Sequence, residues 1–151
     1  MQADVEIIAV PGVTAASAAA AVLGAPLMHD FAVISLSDCM TPLELIWRRV
    51  SLAAEADFVI CLYNPKSRSR TEYLAQAAVL IGQHRSPDTP VGIVRNAGRA
   101  EEKAWITTLK KLPEEPVDMF CVVLIGNSQT YVQNGKMITP RGYCIHPETQ
   151  A

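Results

Sequence analysis

The stretch Val10-Pro11-Gly12-Val13-Thr14-Ala15-Ala16-Ser17-Ala18-Ala19-Ala20-Ala21 constrains the fold more than any other. An apolar run, Val5 to Val10, reads as a strand that enters a Pro-Gly turn and opens onto an alanine-rich helix. Thr14 is placed as its N-cap, where a hydroxyl satisfies an orphan amide of the first turn. A helix carrying small residues on every side is packed closely by neighbours or lets a ligand reach its backbone. Helix starts just beyond strand ends are where α/β proteins present N–H groups to ligands. Gly24 ends the helix and Pro26 prevents its resumption.

The rest of the chain alternates strand and helix patterns, so the fold class is α/β, a mixed and mostly buried sheet flanked by helices. Strands are expected at Phe31 to Leu36, Asp57 to Tyr63, Val91 to Val94, Trp105 to Leu109 and Val117 to Ile125. Thr41-Pro42-Leu43-Glu44 and Ser69-Arg70-Thr71-Glu72 read as capping boxes. They open helices reaching about Glu55 and His84, the second with an apolar stripe of Tyr73, Leu74, Ala77, Leu80 and Ile81. Asn134-Gly135 marks a hairpin, and the tail from Cys144 reads as irregular.

At 151 residues the chain can bury one core. A net charge of −2 gives no footprint for nucleic acid, and no apolar run is long enough to span a bilayer. The first residues do not resemble a signal peptide, and a cytoplasmic location is expected. Cys39, Cys61, Cys121 and Cys144 show no metal or C-x-x-C spacing, nor do His29, His84 and His146, so no metal site is expected. Cys61 and Cys121 read as small apolar residues inside strands.

Three strands end in Tyr63-Asn64, Asn96-Ala97-Gly98 and Gly126-Asn127. Asn and Gly at strand carboxyl ends supply amide hydrogen bonds and close backbone approach without charge, which suits an adenosine-like ligand better than a bare phosphate. They are also ordinary turn residues. No P-loop or G-x-G-x-x-G is present.

In order, Ile8-Ala9-Val10-Pro11-Gly12-Val13-Thr14-Ala15-Ala16-Ser17-Ala18, Leu23-Gly24-Ala25-Pro26-Leu27, His29-Asp30-Phe31, Ile34-Ser35-Leu36-Ser37-Asp38, Leu62-Tyr63-Asn64-Pro65, Val94-Arg95-Asn96-Ala97-Gly98-Arg99 and Ile125-Gly126-Asn127-Ser128 resemble the tetrapyrrole methylase family. The His-Asp-Phe, Ser-Leu-Ser-Asp, Tyr-Asn-Pro and Arg-Asn-Ala-Gly segments resemble its branch that methylates C17 of the precorrin ring, metal-free or cobalt-bearing, and contracts it. The resemblance implies S-adenosyl-L-methionine as cofactor, S-adenosyl-L-homocysteine as product, a homodimer, and a cofactor held between two domains. It implies Thr14, Ala15, Tyr63, Asn96 and Ala97 as cofactor-binding residues.

Ring contraction asks for proton transfers, for which His29 and Asp30 are the local candidates; a simple turn before a strand is the other reading. Arg95 and Arg99 are candidates for pairing with carboxylate arms of the substrate, or form a solvated face. The family's Gly-x-Gly-Pro-Gly loop and Gly-Asp-Pro motif are absent from this sequence. The resemblance therefore covers the C-terminal half: residues 1–12 read as the last strand and linker of an otherwise missing N-terminal domain, and 13–151 as the C-terminal domain. Such a chain is expected to be inactive alone, with Val5 to Val10 an orphan strand prone to self-association. A non-catalytic dimerisation or small-ligand-binding module derived from the family is the alternative.

Overall fold

A computed structural model describes residues 5–67 and 69–142. The first helix, α1 (Ala15–Leu23), begins where the sequence places it, with the Thr14 hydroxyl accepting the Ser17 N–H at 3.3 Å. It ends at Gly24, whose φ of 131° no other residue adopts without strain. There follow β1 (Gly24–Ala25), β2 (Phe31–Ser35), α2 (Leu43–Glu55), β3 (Val59–Tyr63), α3 (Tyr73–Gly82), β4 (Pro90–Arg95) and β5 (Lys103–Thr108). A 3-10 turn (Leu112–Glu114), β6 (Cys121–Ile125), β7 (Tyr131–Gln133) and β8 (Lys136–Ile138) complete the described chain.

The central sheet is five-stranded and mixed, in the order β2-β3-β6-β4-β5. β2 and β3 are parallel, whereas β6 is antiparallel to both β3 and β4, and β5 is antiparallel to β4. Residues two apart share a face of a strand, and the core divides accordingly. Ile60, Leu62, Val91, Ile93, Val123 and Ile125 pack with Ile46 and Val50 of α2 and Leu74 and Ile81 of α3. On the other face, Cys61, Val94, Val122 and Leu124 meet Ala16, Ala19, Ala20 and Leu23 of α1 and Met137 of β8. The alanines let α1 lie close to the sheet. Closest of all is Gly92, where a Cβ would sit 2.4 Å from Leu23 Cδ1.

The Asn134-Gly135 hairpin forms as expected, both residues having positive φ, the geometry of a two-residue turn that matches strand twist. It does not stand alone: β8 pairs in parallel with β1, giving a second sheet, β1-β8-β7.

Several expected boundaries move. Residues 5–10 form no strand; Val5, Ile7, Ile8 and Val10 are 71–91% exposed, with no strand beside them to complete a ladder. Neither capping box forms, since α2 and α3 begin one residue beyond Pro42 and Glu72 with no side-chain cap. Before α2, the extended ψ of 135° at Pro42 delays the helix; before α3, Ser67 and Arg70 exchange backbone hydrogen bonds in a local turn. The α3 helix stops at Gly82, short of His84. The third strand starts at Val59 because Asp57 turns the chain with φ 61°. The last strand of the large sheet starts only at Cys121, because Asp118 makes a turn, its Oδ1 accepting the Phe120 N–H at 2.9 Å. The tail from Cys144 lies outside the described residues.

Candidate functional site

Strand directions decide which expected site residues meet. With β6 antiparallel to β3 and β4, the carboxyl ends of β2, β3 and β4 share one edge of the sheet with the amino end of β6. An open cleft of about 340 Å³ lies on this edge, lined by Ala15, Tyr63, Asn64, Asn96, Ala97, Arg99 and residues 119–122. Residues far apart in sequence, the start of α1 and the ends of β3 and β4, thus converge.

Tyr63 is tied to the helix it faces. Its hydroxyl accepts the Ala16 N–H at 2.7 Å and, with Thr14, satisfies two orphan amides of the α1 N-terminus. Asn64 and Asn96 have φ of 50° and 55°, a left-handed geometry that asparagine tolerates better than most residues and that ends both strands in tight turns. The Asn64 side chain donates to Ser35 Oγ at 3.0 Å, which ties the ends of β3 and β2 together. The Asn96 N–H donates to the Phe120 carbonyl at 3.1 Å, and the Asn96 carbonyl accepts the Arg99 N–H at 2.9 Å. Among the described residues, the Ala97 N–H and C=O have no partner, and neither has the Arg99 guanidinium. Among the described residues, the cleft therefore presents the unpartnered Ala97 peptide together with the unpaired cation of Arg99.

Arg95 is engaged elsewhere. Its Nε donates to Asp118 Oδ2 at 2.9 Å, and its guanidinium lies 5.8 Å from the centroid of the Phe120 ring. Partial burial raises the Asp118 pKa, but hydrogen bonds from Arg95 and neighbouring groups outweigh it and hold the carboxyl below its usual range.

His29 and Asp30 lie at the opposite edge of the sheet, with Asp57, Asn127 and Gln129 around a separate hollow of about 220 Å³. Gly126-Asn127 lies there too, because β6 runs against β3 and β4. Sequence reasoning treated all strand ends as equivalent, which holds only for a parallel sheet.

Two clusters went unread in the sequence. At the end of β2, Arg70 Nη1 lies 3.2 Å from Asp38 Oδ1 and 3.4 Å from Cys39 Sγ, and the Tyr73 hydroxyl donates to Asp38 at 2.8 Å. On the far edge, Asp57 pairs with the buried Arg85 at 2.9 Å and accepts both the N–H and hydroxyl of Ser128. Neither carries a local motif, since the partners lie about 30 and 70 residues apart. Among the described residues no helix is long and apolar enough to cross a membrane, and no group of three His, Cys, Asp or Glu side chains could hold a metal.

Fold and cleft together define an α/β domain with an open cleft at the carboxyl edge of its sheet, beside a helix start. A profile of the Tetrapyrrole (Corrin/Porphyrin) Methylases matches residues 1–113, and the chain belongs to that family. It is 56% identical to a probable cobalt-factor III C(17)-methyltransferase of Salmonella typhimurium over 94% of its own length and 59% of the relative's. It is 44% identical to the precorrin-3B C(17)-methyltransferase of a Sinorhizobium species, over 93% of its length and 57% of the relative's. The crystal structure of the methyltransferase CobJ superposes with a TM-score of 0.83 at 37% identity, covering 91% of this chain and 58% of that one. The chain thus spans less than two thirds of the length of these relatives.

Proposed function

We propose that this chain is the C-terminal part of an S-adenosylmethionine-dependent methyltransferase acting at C17 of precorrin-3B or its cobalt-bearing counterpart, with contraction of the ring. The observation that carries the reading is the convergence on one cleft of the α1 start, Tyr63 and the unpartnered Ala97 peptide. A free N–H beside a free C=O suits the donor–acceptor edge of an adenine. Apart from Arg99 the cleft-lining residues named above are uncharged, which suits a neutral nucleoside. The cofactor supplies a methyl group on a sulfonium, whose thioether leaving group needs no acid.

The chain's own residues then bind and orient. Ala97 holds the base edge, Tyr63 and Ala15 border the ligand, and Thr14 keeps the helix start in place. Fixing donor and acceptor in line removes much of the entropic barrier to transfer. The Arg99 guanidinium is suited to a carboxylate arm of the macrocycle. We leave Arg95 out of substrate binding because Asp118 already engages it, and His29 and Asp30 out of the proton transfers because they lie at the other edge.

Residues 1–12 belong, on this reading, to the end of a preceding domain that forms the cleft's second wall, with 13–151 as the C-terminal domain and a homodimer as the working assembly. The bare apolar side chains of Val5, Ile7, Ile8, Val10 and Val13 support it, being surface that a neighbouring domain would cover. Fusing the missing N-terminal portion of the Salmonella relative to this chain tests the proposal. The fusion is expected to methylate the C17 position, while the chain alone binds S-adenosylhomocysteine weakly and does not turn over. A folded fusion that binds S-adenosylhomocysteine but never methylates the macrocycle overturns it.

A further inference from the structure

The cleft has one wall to which no motif pointed. Phe120 and Met119 line it and remain 53% and 57% exposed. The Phe120 backbone is nevertheless fixed on both sides: its N–H donates to Asp118 Oδ1 at 2.9 Å, and its carbonyl accepts the Asn96 N–H at 3.1 Å. Beside the ring, Arg95 lies 5.8 Å from its centroid and is itself held by Asp118 at 2.9 Å. An exposed aromatic on a backbone tethered on both sides is preorganised for contact with a flat partner.

We propose that Phe120 is the platform on which the purine base of the cofactor stacks, with Arg95 and Asp118 as positioning residues that hold the ring. The inference rests on reading the cleft as the cofactor site and adds the residue that selects its base. A cationic sulfonium is the other group an aromatic face attracts, but the guanidinium already over this ring repels a second cation. A neutral base meets no such penalty, and the free Ala97 peptide lines the same cleft.

Saturation-transfer NMR of the 151-residue chain with adenosine, and separately with S-adenosylhomocysteine, tests this and detects weak binding. The unaltered chain should bind both, with saturation strongest at the base protons H2 and H8. Phe120→Ala should weaken adenosine binding by about tenfold or more, the scale of a lost base–aromatic stack, while Phe120→Trp keeps or tightens it. Arg95→Met should lower base-proton saturation relative to ribose-proton saturation, and Arg95→Lys should restore the ratio, which a purely structural role would not do. Equal adenosine affinity in the unaltered and Phe120→Ala chains, both folded by circular dichroism, overturns the role of Phe120 and leaves the cleft reading intact. Failure of the unaltered chain to bind either ligand overturns both.

Discussion

Replacing Gly92 with alanine tests how α1 is seated on the sheet. The added Cβ would lie 2.4, 2.9 and 3.1 Å from Leu23 Cδ1, Cδ2 and Cγ, so three atoms of one side chain must move. Leu23 is only 3% exposed and has little room to turn. Overpacking of this kind costs about 1–3 kcal/mol, and the loss of glycine's freedom in a strand returns about 0.5–1 kcal/mol. The midpoints of these ranges leave a net loss of about 1.2 kcal/mol, a fall in melting temperature of roughly 2–5 °C for a domain of this size. Urea and thermal unfolding followed by circular dichroism measure it. A double-mutant cycle identifies the cause: Leu23→Ala alone costs about 2–5 kcal/mol, and in that background Gly92→Ala should become neutral or stabilising. Coupling of at least about 1 kcal/mol is therefore expected. An unchanged stability in Gly92→Ala, or the same loss with and without Leu23, would refute the seating argument.

Tyr63→Phe leaves the buried Ala16 amide without its acceptor and should cost about 1–3 kcal/mol in urea unfolding, together with weaker S-adenosylhomocysteine binding by titration. Asp57→Asn keeps a residue that tolerates φ 61° but strips the charge facing Arg85, whose side chain is 4% exposed. Because Asp57 itself is 40% exposed, the loss should be roughly 2 kcal/mol, below the 3–5 of a fully buried pair; wild-type stability in Asp57→Asn would contradict it. Hydrogen bonds from Ser37 and Arg70 lower the Cys39 thiol pKa, while burial pushes Cys61 to about 12 and Cys121 to about 11. Peptide mapping after iodoacetamide treatment should find Cys39 modified before Cys61 and Cys121, at a pH below that of an ordinary thiol, and Cys61 only after unfolding. The Asp118 carboxyl is held below its usual range, so its contribution to stability is present above the ordinary carboxylate pKa and disappears as pH falls through the lowered value. The stability difference between the unaltered chain and Asp118→Asn should therefore shrink toward strongly acidic pH.

What the sequence made legible was what depends on neighbours in the chain. Thr14 caps α1, Gly24 ends it and Asn134-Gly135 turns the hairpin, each through contacts within a few residues. Buried strands such as Val59–Tyr63 and Val91–Val94 stood out by continuous apolarity. The capping-box patterns misled because each favours a helix start without compelling it: Pro42 is held at ψ 135° and Ser67 and Arg70 close their own turn. At the cleft, the strand ends at Tyr63-Asn64 and Asn96-Ala97 were legible as apolar runs closing on Asn and Gly, and the family resemblance added Ala15 beside them. The division of strand ends between two edges was not legible, because nothing local in Cys121–Ile125 says that it runs against its neighbours. Phe120 went unnoticed since it fell inside the expected strand Val117 to Ile125, where an aromatic ordinarily joins the core; the Asp118 turn instead leaves it at the surface.

The pairing of Gly24-Ala25 with Met137-Ile138 makes α1 a strut anchored at both ends. Its nine residues span about 13 Å, with the hairpin at one end and Tyr63 with the cleft at the other. The hairpin turn at Asn134-Gly135 and the cleft at Ala15 thus stand at opposite ends of a single helix, although more than a hundred residues of chain separate them.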